Sequence, residues 1–122
     1  MNFDEYQKLA MRTANDKSDL INAALGISGE AGECTDIVKK YVYHGHTLDS
    51  NGLKKELGDV MWYVALFCDQ LGFTMEDIAI ANISKLAKRY PDGFSEFNSV
   101  NRPTDDDTTD ERNGGIGSTG NL

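Results

Sequence analysis

The chain has 122 residues, 39% of them hydrophobic, two cysteines and a formal net charge of −8, a make-up that fits one soluble domain. Duplex nucleic acid is excluded as an expected partner because binding it needs a basic surface. An acidic chain takes a phosphorylated ligand only with cations between the two. The longest apolar run, VMWYVALFC at residues 60–68, falls well short of the roughly 20 residues that cross a bilayer. The polar, acidic start MNFDEYQK is unlike a secretory signal, so a cytoplasmic location and no membrane partner are expected.

The spacing predicts a first helix over about residues 2–14, with Phe3, Tyr6, Leu9 and Ala10 on one face. A second starts at Ser18 or Asp19, both suited to the N-cap, and runs through Leu20, Ala24, Ile27, Ala31, Cys34 and Val38 to about Tyr43. HGHTLDSNG then breaks it, with Gly45 fitting a C-terminal stop. A third helix, about residues 51–70, carries Leu53, Leu57, Val60, Met61, Val64 and Phe67 at helical spacing, and Gly72 ends it. The fourth opens at Thr74, where TMED reads as a capping box with Asp77 in place of glutamate. It continues to about Arg89, before YPDG turns the chain.

Strand-like alternation is absent, so the expected class is all-α, a four-helix bundle over residues 1–97. From Asn98 onward the chain is polar and rich in Gly, Asp and Thr, with five acids against two arginines. Such a segment buries too little to offset its ordering entropy, and residues 98–122 read as a flexible acidic tail. Cys34 and Cys68 match no CxxC or zinc spacing and read as reduced core residues. A bundle of this size has a small core, which self-association would help to stabilise.

Two stretches break the pattern of a good helix. GISGEAGE, residues 26–33, holds three glycines and two glutamates, and ELGD, residues 56–59, repeats the theme of two acids three apart around a glycine. Each interior glycine costs about 1 kcal/mol relative to alanine, and the expected return is room beside the acids; for Gly26, farthest from them, helix packing alone serves as well. Residues three apart on a helix point the same way. Glu30 and Glu33 therefore form one carboxylate pair and Glu56 and Asp59 another. If the two helices pack antiparallel, all four converge, and four ionised acids repel unless cations sit among them. Hard oxygen ligands suit Mg²⁺ or Mn²⁺, and Mg²⁺ shares substrate phosphates. A single ExxE is ordinarily a solvated helix face; two such pairs beside glycines favour metal binding.

ALGISGEAGECTDIVKK, YHGH, KKELGDVMWYVA and NISKLAKRYPDGF together resemble the MazG-like nucleoside triphosphate pyrophosphohydrolases of the all-α NTP pyrophosphatase superfamily. The resemblance covers about residues 5–97 and leaves the tail unmatched. It implies Mg²⁺, with Mn²⁺ as a substitute, held by Glu30, Glu33, Glu56 and Asp59, and water attack between the α and β phosphates that releases a nucleoside monophosphate and pyrophosphate. The family pattern departs at Gly29, where many members carry a further acid; the smaller single-domain relatives have glycine there. Substrate contacts implied are Lys39, Lys40, Tyr63, Asn82, Lys85 and Arg89, with Lys88 as an alternate. Dimers or tetramers are implied too, with Tyr6, Trp62 and Phe67 as apolar surface for the contact.

Competing readings are weaker. A di-iron carboxylate bundle needs Glu-x-x-His pairs, and positions 33 and 59 hold Glu33 and Asp59. A non-catalytic helical binding protein that keeps the fold is the alternative function; the intact set of four acids argues against it. His44 and His46 flank Gly45 with no acid partner in sequence to fix a tautomer, and read chiefly as loop residues.

Overall fold

The computed structural model describes residues 1–103, in which five helices and no strand are found: α1 (Phe3–Met11), α2 (Leu20–Tyr43), α3 (Ser50–Leu71), α4 (Met75–Arg89) and the short α5 (Glu96–Val100). The expected all-α class and its four main helices are present. Helix α1 is shorter than its apolar spacing predicts. Arg12 caps it, and the Thr13 hydroxyl donates to the Ala10 carbonyl at 2.6 Å in competition with another helical turn.

The boundaries follow from local chemistry. The Asn2 side chain accepts from the Glu5 N–H while Glu5 accepts from the Asn2 N–H, closing a capping box on α1. Asp19, of the two expected candidates, is the N-cap of α2 and accepts from the Asn22 N–H at 2.8 Å. Asp49 does the same for α3 through Gly52. Thr74 and Asp77 exchange backbone-to-side-chain bonds at 2.9 and 3.0 Å, the capping box expected at α4. Gly72 closes α3 in the left-handed region, φ 78°, where a side chain would be strained.

The chain divides into two compact units, the first spanning Met1–Ile78 and the second beginning at Ala79. In the first, α3 packs against both α1 and α2. Its core is thin: Ala10, Ala65, Cys68 and Met75 cluster together, with Tyr6, Met11, Trp62 and Val64 half-buried around them. Leu66, 1% exposed, is the largest side chain fully enclosed. Gln7 ties the α3–α4 junction to α1, accepting from the Met75 N–H at 2.7 Å and donating to the Phe73 carbonyl. The Trp62 indole N–H donates to the Ala10 carbonyl and to the Thr13 hydroxyl, pinning α3 to the end of α1. Tyr6, Trp62 and Phe67, expected as subunit-contact surface, are all half-buried within the single chain.

The second unit holds the rest of α4, the turn after it and α5. The turn at YPDG forms as expected, with the Gly93 N–H donating to Tyr90 and the Tyr90 and Phe94 rings 5.3 Å apart. Helix α5, capped by Ser95, continues to Val100 and so crosses the boundary expected at Phe97. The tail expectation otherwise falls mainly on residues 104–122, outside the described residues. Cys34 and Cys68 are both free thiols, Cys68 buried and Cys34 half-buried. No helix among the described residues is long and apolar enough to cross a membrane.

Candidate metal centre

Helices α2 and α3 run antiparallel past one another, as two contacts show. Gly26 of α2 meets the Tyr63 ring of α3. One turn further along α2 and one turn back along α3, Glu30 faces Glu56 and Asp59. Each of these three acids offers a carboxylate oxygen, and the three oxygens lie within 4.8 Å of one another. Glu30 and Glu56 are half-buried and Asp59 is exposed. Glu33, the fourth expected acid, stands outside this group; it is exposed on α2, and its charge still reaches Glu30.

Close packing of like charges leaves a signature on Glu30. Its carboxyl is raised above the ordinary glutamate range, first because it shares a hydrogen bond with Glu56, then through desolvation and the charges of Asp59, Glu56 and Glu33. Two carboxyl groups that share a proton are a site lacking positive charge. A divalent cation satisfies the same oxygens without the proton, so the residues present fit a hard metal ion.

Tyr6 is a neighbour that sequence reasoning assigned elsewhere. Its phenol is raised by burial and, secondarily, by the charge of the Asp59 carboxylate. No spacing signal marks it, because the α1–α3 register is set by long-range packing.

Of the expected substrate residues, Lys39 and Lys40 both pair with Asp36, at 3.4 and 3.0 Å, and these ammonium groups hold the Asp36 carboxyl below its usual range, Lys40 foremost. Lys40 lies two turns after Glu33 and shares its side of α2, while Lys39 is about 100° further round. Tyr63 is half-buried one turn after Asp59, edge-on to Trp62. Asn82, Lys85 and Arg89 lie three and four residues apart along one side of α4, in the second unit, Asn82 exposed and the other two half-buried. His44 caps α2, and both it and His46 are exposed and donate backbone N–H bonds to the Lys40 carbonyl.

The glycines separate into two kinds. A Cβ on Gly29, Gly32 or Gly58 would meet nothing within 4 Å, whereas one on Gly26 would overlap the Tyr63 ring. Open backbone therefore borders the acids, as expected, while Gly26 serves a close approach of α3 to α2.

Comparison with known proteins identifies the family. The MazG nucleotide pyrophosphohydrolase domain matches residues 20–94, a segment that contains α2, α3 and all four acids. The gene 37 protein of Mycobacterium phage L5 is 32% identical over 114 residues, covering 84% of this chain and 100% of that protein. No solved structure matches. With the acid pairs on two antiparallel helices and the domain match spanning both, the chain belongs to the MazG nucleotide pyrophosphohydrolase family.

Proposed function

We propose that this protein hydrolyses nucleoside or deoxynucleoside triphosphates to the monophosphate and pyrophosphate in a Mg²⁺-dependent reaction, in nucleotide-pool cleaning or regulation. The observation that carries the reading is the convergence of Glu30, Glu56 and Asp59 from two helices, with ligand oxygens within 4.8 Å, inside a MazG domain. These three acids would hold the cation, and Glu33 is proposed as a further ligand at its rim. When bound, Mg²⁺ (or Mn²⁺ in its place) offsets the charge of acids and phosphates and makes a bound water more acidic.

Lys40 and Lys39 are proposed to exchange Asp36 for phosphate oxygens. Tyr63 offers an apolar face for the nucleoside. Asn82, Lys85 and Arg89 are proposed phosphate and nucleotide contacts from α4, Arg89 being suited to bidentate phosphate binding. Self-association belongs to the same reading. Ile21 and Leu25 on α2 are 70% and 71% exposed and Leu57 on α3 is 51% exposed, an apolar surface that a second copy would cover.

A panel of nucleoside and deoxynucleoside triphosphates with Mg²⁺, scored for products, tests the activity. Monophosphate with pyrophosphate is the expected outcome. Diphosphate with inorganic phosphate, or no turnover of any member, would overturn it.

A further inference from the structure

Gly26 sits in the interior of α2, where glycine costs about 1 kcal/mol relative to alanine. Nothing in helix geometry asks for it, since the backbone there is ordinary helix. What occupies the missing side chain's place is the Tyr63 ring: a Cβ at position 26 would overlap its Cε1, Cζ and Cδ1 atoms. The same ring meets Trp62 edge-to-face, centroids 5.1 Å apart and planes at 83°. Trp62 is itself fixed, its N–H donating to the Ala10 carbonyl at 3.1 Å and to the Thr13 hydroxyl at 2.8 Å. The ring is thus seated between bare helix backbone and an anchored indole.

That seat lies beside the acids. Glu30 follows Gly26 by one turn and Asp59 precedes Tyr63 by one turn, so the ring stands one helical pitch, about 5 Å along the axis, from the acidic group. We infer that Gly26 is a positioning residue, whose lack of a side chain seats the Tyr63 ring where the nucleoside end of a cation-held triphosphate begins. The inference rests on the hydrolase reading above and deepens it. An aromatic face binds any base or sugar edge laid on it, a contact that tolerates base identity. A side chain at residue 26 forces the ring off α2 and out of that station, while the acids keep their places.

The test compares wild type, Gly26→Ala, Tyr63→Ala and the double variant, with nucleoside triphosphates and Mg²⁺, with Mn²⁺ alone, and by near-UV circular dichroism. Gly26→Ala is expected to raise KM about tenfold, the loss of one base–aromatic contact, with kcat within about twofold. Affinity for Mn²⁺ alone stays at the wild-type value, and the near-UV signal of the Trp62–Tyr63 pair changes. Tyr63→Ala raises KM similarly, and adding Gly26→Ala to it does nothing more, because the overlap is gone. Should Gly26→Ala fail to fold, the double variant decides: folding and behaving like Tyr63→Ala supports the inference. A wild-type KM and near-UV spectrum in Gly26→Ala overturns it, as does a Gly26→Ala penalty that persists undiminished on Tyr63→Ala. If wild type turns over no triphosphate, the hydrolase reading falls instead, and the near-UV comparison still decides whether Gly26 seats the ring.

Discussion

Glu30 is held by its neighbours in a state that water would not give it. The hydrogen bond to Glu56 and the nearby charges raise its carboxyl, so between the ordinary glutamate value and the raised one the folded chain binds more protons than the unfolded chain. Stability of the metal-free protein therefore falls as pH rises through that window. The expected outcome is a melting temperature that increases on mild acidification into it, with Mg²⁺ removing the dependence. Calorimetric titration with Mg²⁺ in buffers of different ionisation enthalpy should detect proton release that shrinks as pH rises above the window. Asp36 has the opposite sign. Its carboxyl is lowered by Lys40 and Lys39, so its contribution is present above the ordinary aspartate value and is lost only as pH falls through the lowered one. At the same scale, Glu56→Gln keeps the shape of the side chain and removes the charge. Disturbing groups that merely support metal ligands costs about 10- to 100-fold, so this change to a proposed ligand should lower pyrophosphate release by about a hundredfold or more. Helical circular dichroism should remain as in wild type; full turnover in this variant would remove the acids from the chemistry.

Helix α1 is joined to the rest of the first unit by a few specific bonds. Trp62 links α3 to the end of α1 through two acceptors, so Trp62→Phe keeps the apolar body and removes both bonds between the helices, although the Ala10 carbonyl still accepts from Thr13. A loss of about 1–2 kcal/mol is expected in urea unfolding, read as a lower midpoint at unchanged slope. Leu66 is the large side chain that α3 buries fully, and Leu66→Ala should cost about 2–5 kcal/mol. Helix limits were legible because they depend on near neighbours: Asp19, Gly72 and the Thr74–Asp77 box act within one turn. Helix α1 was overestimated at its C-terminus, since the Thr13 hydroxyl bond to Ala10 competes with continuation. Helix α5 straddles the expected start of the tail, because its five residues are too few to display a period.

At the scale of the molecule, the described residues enclose only small side chains and one leucine completely, while Ile21 and Leu25 face outward at 70% and 71% exposure. The proposed second copy covering that face would make stability depend on concentration. Melting temperature is expected to rise with protein concentration, and Leu25→Glu should shift sedimentation toward a smaller species. A monomer at every concentration would separate the active site from self-association.

The sequence by itself determined the class and the four main helices, because a 3.6-residue period and a capping side chain act between near neighbours along the chain. It also carried the family, through motifs whose order survives without knowledge of the fold. Tertiary structure decided which acids meet. Glu30, Glu56 and Asp59 converge and Glu33 stands apart, Tyr6 joins the surroundings of Asp59, and Gly26 is matched to Tyr63 rather than left open. Periodicity gives each side chain a direction about its own helix axis, but the rotation and sliding of one helix against another come from packing between residues distant in sequence. A shift of one turn between α2 and α3 would leave every motif intact and dismantle the site.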